Sequence, residues 1–186
     1  RSAPVITLPT PANFSLGEDT NAIFDTGSGR VINIFDIDAN GNNLTLILSA
    51  TNAKLTLPNT GGLATVSNNN SSKVVATGNE SALNAALNGL ILDPVDDFVG
   101  TLTLTVHVDD NGFTGRAPSP NQSDEKSLQI TYTAVNDAPT VTAQQSPLNA
   151  NEDSTITLSA GNVNGVTIND VDLGSGQPRV TLTVSK

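Results

Sequence analysis

The feature that most constrains this chain is alternation. The segments "VITLP" (residues 5–9), "RVINIF" (30–35), "NLTLILSA" (43–50), "KLTL" (54–57), "KVVAT" (73–77), "TLTLTVHV" (101–108) and "KSLQITYTA" (126–134) are rich in Val, Ile, Leu and Thr, and several carry an apolar residue at every second position. A period of two turns one side of an extended strand toward a core and the other toward water. Clusters of Gly, Asn, Pro and Asp separate the segments, as turns require. The pattern predicts an all-β fold, an antiparallel β-sandwich. One segment departs from it. "NESALNAALNGL" (79–90) sets Leu83, Ala86, Leu87 and Leu90 at helical spacing, with Asn79 or Ser81 as a cap and Gly89 as a stop. It predicts one short helix crossing the end of the sandwich.

The chain also repeats itself. "EDTNAIFDTGSGRVINIFDID" (18–38) lies over "EDSTITLSAGNVNGVTINDVD" (152–172) without a gap. Glu18-Asp19 matches Glu152-Asp153, Gly27 matches Gly161, and Asp36-Ile37-Asp38 matches Asp170-Val171-Asp172. Upstream, "APVIT" (3–7) matches "APTVT" (138–142); downstream, "LTLIL" (44–48) matches "VTLTV" (180–184) after a small insertion. Residues 1–137 read as one complete repeat and 138–186 as the opening part of a second. The second part supplies too few strands to close a sandwich alone. The expectation is a piece of a longer chain, or an open edge completed by a neighbour.

The repeat decides how to read "AIFDTGSGRV" (22–31), where Asp25-Thr26-Gly27-Ser28 resembles the active-site loop of pepsin-like and retroviral aspartic proteases. That chemistry needs two carboxylates sharing one proton. The second repeat carries Ser159 where the first has Asp25, and no flap or cleft signature accompanies the loop. The stretch reads as a Gly-rich turn between strands, and no enzymatic role is expected.

Composition narrows the partners. Eighteen acidic residues against 8 basic give a formal net charge of -10, so no nucleic-acid partner is expected. An anionic membrane surface is disfavoured for the same reason. No apolar run is long enough to span a membrane and no signal peptide is evident. Aromatics make up 3% of the chain, so the core must be built from Val, Leu, Ile and Ala. Cysteine is absent, which excludes disulfides and thiolate metal sites.

Excess carboxylate serves solubility or cation binding, and here the acids recur at repeat landmarks. Glu-Asp follows the opening strand (Glu18, Asp19; Glu152, Asp153), and Asp-x-Asp ends a later one (Asp36, Asp38; Asp170, Asp172). "NDAP" (Asn136, Asp137) marks the repeat junction, and "VDDNG" (108–112), with Asp110, closes a long strand. Calcium takes six to eight oxygens from carboxylates, amides and carbonyls. Recurrence in register favours Ca2+ over turn formation alone.

Together, "VNDAPTVT", "NEDSTITL" and "DVD" resemble the tandem cadherin-like repeats of very large bacterial surface and secreted adhesins, and "ALNGLILDPVDDFVGTLTLTVHVDDNGFTG" (86–115) is similar to them as well. The resemblance implies an Ig-like sandwich with calcium at inter-repeat junctions. It implies that Glu18, Asn136, Asp137, Asp170 and Asp172 bind metal between repeats. Asp36, Asp38 and Asp110 would form the equivalent N-terminal site, where Ser2 replaces the junction Asp. In "LDPVDDF" (92–98) Asp93 matches the family pattern, Val95 stands at the Glu position, and Asp96 is its substitute. One ion per joint is expected. The implied function is a calcium-stiffened structural or adhesive segment, extracellular or on the cell surface, in adhesion, biofilm or fibre. Its partners would be neighbouring repeats of the same polypeptide or copies of itself. One alternative is a polysaccharide-binding module, with Phe113 and Tyr132 as exposed stacking candidates; another is a fibre subunit polymerising by strand complementation.

Three further features read plainly. His107, the only His, sits in a strand and faces solvent. Asp93-Pro94 resembles the bond cut in calcium-triggered self-processing modules, but a strand-end Pro explains it. Sequons at Asn43, Asn70 and Asn79 are expected by chance in an Asn- and Thr-rich chain.

Overall fold

A computed structural model describes residues 2–112, 120–143, 149–158 and 165–183. The chain divides into two compact units, Arg1–Ala134 and Val135–Lys186. In the first, the elements run β1 (Val5–Thr7), β2 (Phe14–Gly17), β3 (Ala22–Phe24), β4 (Asn33–Phe35), β5 (Leu44–Ala50), β6 (Ala53–Thr56), β7 (Thr65–Ser67), β8 (Lys73–Gly78), α1 (Glu80–Leu87), β9 (Leu90–Pro94), β10 (Gly100–Asp109) and β11 (Ser123–Thr133). The second unit contributes β12 (Thr140–Ala143) and β13 (Val166–Asn169). The chain is mostly β, with several antiparallel sheets.

Among the described residues of the first unit, one sheet runs β2-β11-β10-β5-β8-β7, a second runs β3-β9-β6, and β1 pairs with β4 in a two-stranded ribbon. All neighbours are antiparallel except β2, which lies parallel to β11. Alternation sets what is buried. Leu44, Leu46, Leu48 and Ala50 of β5, and Leu102, Leu104, Val106 and Val108 of β10, point into one core. That core also takes Ala22 and Phe24 of β3, Ala53 and Leu55 of β6, and Leu90 and Leu92 of β9. Phe14 of β2 meets Phe24 of β3 edge-on at 6.1 Å between ring centres, joining the two sheets. The opposite face explains the threonine content. Hydroxyls pair across strands at Thr105–Ser127 (3.0 Å), Thr101–Thr131 (3.3 Å) and Thr65–Thr77 (2.7 Å).

The helix is shorter than its sequence window. Asn79 caps it, its side chain accepting from the Ala82 N–H at 2.9 Å. Leu83, Ala86 and Leu87 are buried, and Gly89, at φ +107°, turns the chain into β9. The strands β2, β3, β7 and β9 carried no separate sequence signal; they span three to five residues, too few for alternation to stand out. Asparagine does much of the turning. Asn40, Asn52, Asn68, Asn70 and Asn111 all adopt positive φ, which Asn tolerates better than other side chains.

The second unit reproduces the opening of the first. Ile6 stands opposite Ile34 in the β1–β4 ribbon, and their counterparts Val141 and Ile168 stand opposite each other in β12–β13. Asp19 and its counterpart Asp153 both take the left-handed conformation, at φ 59° and 61°. In 138–186 the described residues hold two strands, too few to close a sandwich. The remaining positions carry no strand or lie outside the described residues.

If alternation supplies the stability, Leu104→Ala should cost about 2–5 kcal/mol. The exposed neighbour Thr103→Ala should stay within about 0.5 kcal/mol of the parent. Urea unfolding of both variants checks this contrast.

Candidate metal centre

β4 ends at Phe35 and the chain turns at once through Asp36-Ile37-Asp38. The alternation continues one residue past the strand, so Asp36 is carried inward (5% exposed) and Ile37 outward. Asp36 Oδ1 accepts the Asp38 N–H at 3.1 Å, closing an Asx turn. The Asp36 N–H donates to Oε2 of Glu80, in the first turn of α1, at 3.0 Å. Asp38 Oδ2 accepts the Ser2 N–H at 3.1 Å.

The third carboxylate comes from the turn after β10. Asp110 is fully buried, and its Oδ1 accepts the N–H groups of Gly112 and Gln122, both at 2.8 Å. Asn111 and Gly112, at φ 53° and 77°, make the turn that permits this. The Asn111 amide ties the turn to the start of β5, donating to the Asn43 carbonyl and accepting from the Thr45 hydroxyl, both at 2.9 Å.

Oδ2 of Asp36 and Oδ2 of Asp110 are buried and have no hydrogen-bond partner among the described residues. Burial raises the Asp36 carboxyl above its ordinary range, and the carboxylates of Asp38 and Asp110 push it the same way. Asp38 is held below its ordinary range, chiefly by its hydrogen bond with the Asp36 side chain. Glu80 was not a sequence candidate. The signal was present, since an acid in the first turn of a helix is common, but its contact with Asp36 depends on where the helix docks.

The second unit builds the same turn. Asp170 Oδ1 accepts the Asp172 N–H at 3.1 Å, and Asp172 Oδ2 accepts the Asp137 N–H, matching Ser2 on Asp38. Asn136 donates its side-chain amide to the Asp137 carbonyl at 3.0 Å. Glu18 is buried at the end of β2, where its N–H donates to Thr133 at 2.9 Å. Acidic residues that could contribute to a metal site occur in both units. Asp19 and Asp97 approach within 4.8 Å in the first, Asp137 and Asp172 in the second.

The remaining candidates fall elsewhere. Asp25 closes its own turn, accepting the Ser28 N–H at 2.6 Å, and this bond with the Ser28 hydroxyl lowers its carboxyl below the ordinary range. The position of Ser159 lies outside the described residues, as does Phe113. His107 meets Glu125, its cross-strand partner, at 3.3 Å. Tyr132 is not exposed, as a stacking role would require. It is buried against Phe98, edge-on at 6.1 Å, and burial pushes its hydroxyl up to about 12. The inward phase of β11, shared with Leu128 and Ile130, places it in the core. Asp93 lies within β9 and Pro94 at its end. Among the described residues no helix is long and apolar enough to cross a membrane. No protein-family model matches the chain, and no curated protein matches its sequence.

The Asp36 shift has a definite sign in the metal-free protein. A carboxyl raised in the fold contributes stability below the unfolded value, lost as pH rises through the folded one. Asp36→Asn keeps the acceptor for Asp38 and removes the buried charge. Its melting advantage over the parent, in chelator, should therefore grow from about pH 3 to about pH 7. Parallel melts across that range check it; an advantage that shrinks with pH would contradict the upward shift at Asp36.

Proposed function

We propose that this chain is a calcium-stiffened structural segment of a large extracellular bacterial protein, built from cadherin-like repeats of Ig-like topology. Ca2+ is bound by Asp36, Asp38 and Asp110 in the first repeat, and by Asp137, Asp170 and Asp172 in the second. The observation that carries the reading is the pair of buried, unpartnered Oδ2 atoms on Asp36 and Asp110. An isolated buried carboxylate costs several kcal/mol, and a neighbouring one adds repulsion. A hard divalent cation removes both costs, and calcium accepts the irregular oxygen sets that turns provide. The same Asp-x-Asp turn in both units supports a device repeated along a chain. The parallel β2–β11 pair beside an antiparallel β11-β10-β5 sheet, facing β3-β9-β6, supports the Ig-like topology.

The function is mechanical. With its loops crosslinked through a metal, a repeat resists bending and unfolding, and holds adjoining repeats of the same polypeptide in line at a cell surface. No reaction is involved. A second reading, a fibre subunit whose second repeat is completed by strands of another copy, is favoured by one contrast. Ile6, Leu44 and Leu46 are fully buried, whereas their counterparts Val141, Val180 and Leu182 are 65%, 52% and 74% exposed. Polysaccharide binding by aromatic stacking loses Tyr132 to the core.

Calorimetric titration of calcium into chelator-stripped protein tests the reading. Saturable binding is expected, and about a hundredfold excess over Kd should add about 2.7 kcal/mol of stability. Asp110→Asn should remove the first-repeat site, and Asp170→Ala with Asp172→Ala the second. Absence of binding would reduce the acids to turn formers.

A further inference from the structure

The β1–β4 ribbon carries the acidic turn at one end, yet belongs to neither sheet. Its central cross-strand pair is Ile6 and Ile34. In an antiparallel ladder, alternate pairs turn their backbone groups outward, away from each other. Ile6 and Ile34 do so, and side chains satisfy both outward edges. On the β4 edge, the Asn84 amide of α1 accepts from the Ile34 N–H and donates to the Ile34 carbonyl, both at 2.8 Å. On the β1 edge, Asp124 Oδ2 accepts from the Ile6 N–H at 2.8 Å and Lys126 donates to the Ile6 carbonyl at 2.5 Å. Asp124 and Lys126 stand two apart on β11 and lie 3.8 Å from each other. An amide on one side and an ion pair on the other thus replace the missing neighbouring strands.

We propose that Asn84, Asp124 and Lys126 are positioning residues for the first-repeat cation site, a role that rests on the calcium reading above. The ribbon delivers Asp36 and Asp38 from β4 and Ser2 from the approach to β1, so its place in the fold sets where those carboxylates stand relative to Asp110. Two of the clamps are charged groups on the strand that follows the Asp110 turn. Asp110 and the ribbon are therefore positioned by one piece of chain.

The test uses the full chain, stripped of metal and titrated with calcium while the amide resonances of Asp36, Asp38 and Gly112 are followed. Asn69→Ala is the control: Asn69 makes the same two bonds to the Leu57 backbone, at 2.8 and 2.9 Å, away from the acids. Asn84→Ala, Asp124→Ala and Lys126→Met should weaken calcium binding at these amides by about tenfold or more. Asp124→Asn, which keeps the acceptor, should restore it, and Asn69→Ala should lower Tm without moving the affinity. Clamp variants that melt lower at unchanged affinity would overturn the proposal. If the parent itself shows no saturable shifts, the calcium reading has failed. Positioning is then read from metal-free hydrogen exchange at the Ser2 and Asp38 amides. Faster exchange in the clamp variants upholds it, and exchange equal to the Asn69→Ala control overturns it.

Discussion

The ladder between β10 and β11 is the interaction on which the rest of the first unit depends. It pairs ten residues without interruption, from Gly100 opposite Tyr132 to Asp109 opposite Ser123. Because side chains alternate along it, one register choice fixes many positions together. A slip by one residue would turn Leu102, Leu104, Val106 and Val108 to solvent and bring their threonine neighbours inward. The same register ends β10 at the Asp110 turn, and sets Asp124 and Lys126 against the ribbon. Core, acidic turn and ribbon clamp are thus consequences of a single pairing.

How much of this was legible depends on the range of the interaction. The long strands were visible because alternation over six or more residues is hard to mistake, and α1 was visible because its apolar spacing breaks that rhythm. The Asp-x-Asp turn was legible through its recurrence, and the structure gives both copies the same internal hydrogen bond. What could not be read is what depends on docking. Asn84 is an ordinary polar residue on a helix until Ile34 lies beside it, and Glu80 an ordinary first-turn acid until the Asp36 amide reaches it. Tyr132 was misjudged for a related reason. Its strand was recognised, but its side chain was weighed as an aromatic and not by its phase with Leu128 and Ile130.

The two units make the same point about burial. Val141 and Ile6 share a ladder position and similar chemistry, yet one is exposed and the other fully buried. Local sequence sets strand, register and turn. Burial is set by what packs on top, which in the first unit includes Leu83 and Leu87 of α1 and the inward rows of β10 and β11.

The acidic turn is where this consistency breaks. Elsewhere in the first unit propensity, alternation and turn chemistry agree, as expected of a sequence with a single favoured fold. At Asp36 the alternation that buries Ile34 goes on to bury a carboxylate, and the hairpin that shapes the Asp110 turn buries another. Nothing in the core requires acids at these positions. An Asn at position 36 would serve the turn without the charge. The acid kept at position 36 has its carboxyl raised by burial, a contribution to stability that is lost as pH rises. On the proposed calcium reading, a bound cation would offset that cost at the acidic turn.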